Sequence, residues 1–121
     1  MKKYTIFCDI DGTLFVYRAF NTYLTTIPEP IVSVIDKINK MVQEGHCIIL
    51  TSARPENLRE HTIKELQHHH IQYHQLVLGL ERGTRYLIND KEDDAIDRAI
   101  GINISRNKGF TDNDIDMLNF P

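Results

Sequence analysis

A chain of 121 residues, 41% hydrophobic and 26% charged, has the length of one domain and enough apolar material for a core without staples. Its net charge of −3 lacks the basic excess by which nucleic-acid binders are read, so nucleic acid is an unexpected partner. No apolar run approaches membrane-spanning length and no leader pattern opens the chain, so a cytoplasmic location with no membrane partner is expected.

The first element is the apolar, β-prone run from Tyr4 to Ile10, read as a fully buried strand that ends in Asp9 and Asp11 and breaks at Gly12. Residues 12–30 read as a loop or short hairpin with aromatics Phe15, Tyr17, Phe20 and Tyr23, closed by Pro28 and Pro30. Ile31, Val34, Ile35, Ile38, Met41 and Val42 then recur at spacings of three and four, which predicts a helix stopped at Gly45. His46 to Leu50 is a second strand, ended by Thr51 and Ser52. A surface helix with a thin apolar stripe (Leu58, Ile63, Leu66) is expected from about Pro55 to His70.

Tyr73 to Leu78 reads as a third strand and Gly79 to Gly83 as a loop. Tyr86-Leu87-Ile88 reads as a fourth strand ending in Asn89-Asp90, followed by a short helix near 92–99 and a last strand near 102–104. The tail, 106–121, is polar with no strong period. Cys8 and Cys47 both fall in predicted strands, as buried free thiols suited to a reducing compartment. Short apolar strands alternating with helices predict an α/β fold: one domain, three layers, a mostly parallel Rossmann-like sheet with helices on both faces.

Parallel sheets place ligands beyond the carboxyl ends of their strands. Three predicted strands end there in reactive groups: Asp9 and Asp11; Thr51 and Ser52; Asp90, with Asp93 and Asp94 beyond it. Converging carboxylates need a cation, and hard oxygen donors without histidine or cysteine favour Mg²⁺. Arg54, Arg82, Arg85 and Lys91 supply positive charge for a phosphoryl group.

Asp9-Ile10-Asp11-Gly12-Thr13-Leu14 resembles the first motif of the haloacid dehalogenase-like (HAD) phosphohydrolase superfamily. Leu50-Thr51-Ser52-Ala53-Arg54-Pro55 resembles its second motif, and Leu87-Ile88-Asn89-Asp90 with Asp94 its fourth. The resemblance covers about residues 4–105. It implies Asp9 as nucleophile, Asp11 as general acid and then base, and Mg²⁺ held by Asp9, Asp90 and the Asp11 carbonyl, with Asp94 beside them. It also implies a hydroxyl, from Thr51 or Ser52, on a phosphoryl oxygen. Gly12, Thr13, Arg54, Arg85 and Lys91 are the accompanying substrate-binding candidates. The lysine usual in the third motif is missing, and Arg82 is the nearest substitute. The gaps between motifs leave no room for a large cap domain, so the site is open to a large substrate or covered by a second copy of the chain, with the first-loop aromatics at its mouth.

The expected activity is Mg²⁺-dependent hydrolysis of a phosphomonoester through an aspartyl-phosphate, on a phosphorylated small molecule such as a sugar or nucleotide phosphate. The alternatives are a polynucleotide-end phosphatase, or a weakly active or inactive HAD-like binding or regulatory module. The histidines 68–70 and His74 read as a solvated helix end.

Overall fold

In the computed structural model, residues 2–120 are described. Three parallel strands, β1 (Thr5–Asp9), β2 (Cys47–Thr51) and β3 (Gln75–Val77), lie side by side in chain order. The connections carry α1 (Val32–Gln43) and, after a 3₁₀ turn at Glu56–Leu58, α2 (Arg59–His68); α3 (Asp112–Met117) lies in the tail.

The register pairs Ile6 with Ile48 and Cys8 with Leu50. Successive strand side chains point to opposite faces, so these four share one face. Cys8, Ile48 and Leu50 join the core there, with Val34, Ile35, Ile38 and Met41 of α1 and Leu66 of α2. Helix α1 forms because those apolar positions fall on one stripe. It ends at Gly45, whose φ of +93° is left-handed, while the N–H groups of Gly45 and His46 close onto the carbonyls of Val42 and Met41. Phe15, the aromatic placed at the site mouth by the sequence, is instead fully buried in this core.

Two histidines stitch the sheet. The Nδ1 of His46 accepts from the Tyr4 N–H (3.0 Å) and that of His74 from the Ile48 N–H (2.9 Å). Both are therefore held with the proton off Nδ1. Beyond β3, backbone bonds from Gly79 to Arg54 and from Leu80 to Ser52 extend its hold on β2.

Four expectations fail. The buried apolar residues of α1 and α2 join one core cluster with Cys8, Ile48 and Leu50, while Phe7 (56% exposed) and Val77 look out from the other face, so the described residues do not form the three-layer arrangement. Tyr86, Leu87 and Ile88 form no strand and are 89%, 61% and 94% exposed. Three apolar residues between polar neighbours carry too little burial to hold a ladder, whereas β3, equally short, is fastened on both sides of its span. Segment 92–99 is not helical: Asp93 and Ile96 close a turn, with the Asp93 carboxylate on the Ala95 N–H. Asp favours such local bonds over helix. The predicted strand at 102–104 is irregular as well.

The tail, conversely, gains α3. Thr111 Oγ1 accepts from the Asp114 N–H (3.2 Å) and the Asp114 carboxylate accepts from the Thr111 N–H (2.9 Å), a reciprocal capping box. The adjoining Leu118 and Phe120 pack against the core.

Candidate active site

At the carboxyl end of β1 the chain turns sharply. Gly12 takes φ +91°, and the amides of Thr13, Leu14 and Phe15 fold back onto the carbonyl of Ile10. This turn presents Asp9 and Asp11 to one cleft, lined also by Tyr17, Phe20, Tyr23, Ser52, Ala53, Arg54, Arg82, Arg85 and Arg106. A second cleft shares Asp9, Asp11 and Arg106 and adds Gly12, Thr13 and Ile104.

Asp9 is half-buried, and its Oδ2 accepts from the Thr13 hydroxyl (3.2 Å). Burial pushes its carboxyl above the ordinary value; Arg85 and the Thr13 bond pull against that, and Asp11 adds to it. An ionised Asp9 is thus held at a cost, which a cation or substrate can relieve.

Asp11 is engaged on both oxygens: Arg54 Nε reaches Oδ2 at 2.9 Å and Nη2 reaches Oδ1 at 2.8 Å. Arg54 is 0% exposed and does not offer its guanidinium to substrate. Its Nη1 continues to Glu65 Oε1 (2.7 Å) and Thr62 Oγ1 (3.2 Å), and its Cζ lies 4.4 Å from the centroid of Tyr23. Glu65 also takes both terminal nitrogens of Arg18 (2.8 and 3.0 Å) and His61 Nε2 (3.1 Å). Burial pushes the Glu65 carboxyl up, but the bonds from Arg18 and Arg54 outweigh it and hold it below the ordinary value.

Of the two hydroxyls after β2, Ser52 lines the cleft; Thr51 stays in the ladder beside Asp9 and Val77. Ser52 Oγ accepts from the Arg54 N–H (3.0 Å), which leaves its own proton free to donate. Arg82 and Arg85 reach the cleft, whereas Lys91 turns to Asp97 (3.2 Å). Asp90 and Asp94 are exposed and line neither cleft; Asp90 pairs with Arg98 at 3.0 Å. Without the fourth strand, the structure does not bring them to Asp9.

The sequence reading missed Glu65, Arg18 and Arg106. Glu65 left a trace: Thr62, Glu65 and Leu66 are the buried residues of α2, so its thin apolar stripe is completed by polar groups. Arg106 left none. It reaches the site because Asn107, at φ +67°, donates its N–H to the Gly12 carbonyl (2.9 Å) and accepts from the Tyr17 N–H through Oδ1 (2.6 Å).

No group of three or more His, Cys, Asp or Glu side chains within reach of one metal occurs among the described residues. The donors at hand are oxygens of Asp9 and the Asp11 main chain. Such a low protein count fits Mg²⁺, which keeps most of its waters and shares a substrate phosphate.

Fold and cleft together define a Rossmann-like α/β protein with a carboxylate pair and arginines at the carboxyl edge of a parallel sheet. No family model matches the chain, and no curated protein matches it. It is similar to chains in two structures of a Pnkp1/Rnl/Hen1 complex, one described as an RNA repair complex. Each is 26% identical over 69% of this chain, with a TM-score of 0.58. This chain spans only 30% and 28% of the length of those chains. A crystal structure of a structural-genomics target from Vibrio cholerae is similar over 97% of this chain and 96% of its own, at 18% identity and a TM-score of 0.52, and shares the fold. No helix among the described residues is long and apolar enough to cross a membrane.

Proposed function

We propose that the protein is a HAD-like phosphomonoester hydrolase acting through an aspartyl-phosphate on Asp9. The observation that carries this reading is the composition of the cleft: a carboxylate pair at its floor, with Arg82, Arg85 and Arg106, which make no ion pair among the described residues, around it. Asp9 Oδ1, free of side-chain partners, attacks phosphorus while Thr13 holds Oδ2. The bond from phosphorus to the leaving oxygen breaks, and that oxygen takes a proton from Asp11. Water then attacks phosphorus, giving its proton to Asp11, and the bond from phosphorus to Asp9 Oδ1 breaks, which frees the Asp9 carboxylate and releases phosphate. The Ser52 hydroxyl donates to a phosphoryl oxygen, and Arg85, the arginine whose charge acts on Asp9, balances the charge that spreads over the phosphoryl group, with Arg82 and Arg106 on the same wall. Bound Mg²⁺ would polarise that group and offset the repulsion of the carboxylates.

The substrate favoured is a phosphorylated polynucleotide end, ahead of the small sugar or nucleotide phosphate that the sequence put first. Its support is the likeness to chains of an RNA repair complex and the local cluster of arginines that a net charge of −3 conceals. The cleft is open, and a second copy of the chain covering it belongs to the same reading.

The test is hydrolysis of an aryl phosphate and of a 3′-phosphorylated oligonucleotide, with and without Mg²⁺. Turnover that needs Mg²⁺ and is abolished by Asp9→Asn is expected, with the oligonucleotide preferred. Absence of turnover on both substrates would leave a binding module.

A further inference from the structure

Three aromatic rings line the cleft that holds Asp9: Tyr23 is buried against Arg54, while Phe20 and Tyr17 each carry an exposed arginine on their face. The Arg82 guanidinium carbon lies 4.4 Å from the Phe20 centroid, and that of Arg106 lies 3.9 Å from the Tyr17 centroid. Arg82 and Arg106 are exposed, and neither has a carboxylate or hydrogen-bond partner among the described residues. Tyr17, by contrast, is fixed: Asn107 pins its backbone. Phe20 lies edge-on to Tyr23 with ring centroids 6.2 Å apart, whereas the two guanidinium groups have no polar anchor among the described residues.

A ring face that accepts a planar cation also accepts a nucleobase, and stacking of this kind tolerates any base. An arginine displaced from such a face is free to take a phosphate. We infer that Tyr17 and Phe20 are stacking platforms for the bases of a single-stranded polynucleotide end, and that Arg82 and Arg106, displaced from them, hold its backbone phosphates. This rests on the reading of the cleft as a phosphoryl site: the terminal phosphate lies at Asp9 and Arg85, and the chain leaves over the aromatic rim. The two pairs suit more than one nucleotide, and the bases of a duplex end are held in pairs and are not free to splay onto the two rings separately.

The experiment is fluorescence anisotropy with the Asp9→Asn protein, which cannot consume its ligand, and a short labelled single-stranded oligonucleotide bearing a 3′-phosphate. Its competitors are a mononucleotide and a blunt duplex. The single strand is expected to bind at least about tenfold tighter than either. Tyr17→Leu and Phe20→Leu are each expected to weaken it by about fivefold to 100-fold. Log affinity against log salt is expected to fall with a slope of about −2, roughly −0.7 for each of three neutralised phosphates; this needs no rim substitution. Equal affinity for the mononucleotide, unchanged binding by both leucine variants, or a flat salt response each overturns the inference. Wild-type aryl phosphate hydrolysis separates the two claims. If it is absent while the rim dependence holds, the phosphatase reading falls and the stacking rim stands. If it is present while the rim dependence fails, the reverse is true.

Discussion

Replacing Glu65 with glutamine keeps the side chain's shape and removes its charge. The carboxylate is the shared partner of Arg18, Arg54 and His61, and it is about as buried as Arg18. Removing one member of a buried ion pair costs about 3–5 kcal/mol, because the charge left behind has no counterpart. Arg54 keeps Asp11, so its loss is partial. Arg18 keeps only Thr26, and its Nε already lacks a hydrogen-bond partner. The lower end, about 3 kcal/mol, is therefore expected. At about 3–5 °C per kcal/mol for a chain of this size, Tm falls by roughly 10 °C. Thermal and urea unfolding followed by circular dichroism at neutral pH measure this. A loss under about 1 kcal/mol would refute the reasoning. The pH dependence has a fixed sign. The folded carboxyl lies below its unfolded value, so its contribution is present above the unfolded value and lost as pH falls through the folded one.

Asp9→Asn is expected to stabilise the fold by about 0.5–2 kcal/mol while abolishing turnover. The Asp9 carboxyl is raised by burial, so its favourable share holds below the unfolded value and is lost as pH rises through the folded one. The gain measured by thermal melting should accordingly vanish in acid. Mg²⁺ should raise the Tm of the wild type and leave that of Asp9→Asn unmoved. Burial, with the Asp9 charge second, pushes the Cys8 thiol to about 12. A thiol reagent at mild alkaline pH should therefore modify half-buried Cys47 first and reach Cys8 only in denaturant, read by mass spectrometry. Asn107→Ala loses the bond to Tyr17 and puts alanine in left-handed backbone, so a loss of about 1–2 kcal/mol in unfolding experiments is expected.

The sheet's first half was legible because its signals are periodic. The Ile31–Val42 stripe and the apolar runs around Ile6 and Ile48 each match a burial pattern that short segments express by themselves. The cleft was legible where its residues follow those strands directly, as Asp9, Asp11 and Ser52 do. Its organisation was not. That Arg54 faces Asp11 and Glu65 instead of solvent depends on packing between α2 and the first loop, which leaves no spacing in the chain. The run at Tyr86–Ile88 shows the opposite error, since local β-propensity means little without a neighbour to pair with.

The Asn107 bonds to Gly12 and Tyr17 join positions 95 and 90 residues apart. During synthesis, strands β1 to β3 and the Asp11–Arg54–Glu65 network are all present once residue 77 has left the ribosome. The arginines that surround the acids come afterwards, from 82, 85 and 106. The acidic floor and the basic wall therefore mature in sequence. Arg82 and Arg85 follow β3 closely, whereas Arg106 comes last and is placed when Asn107 fastens to Gly12 and Tyr17, so the basic wall is completed by the tail.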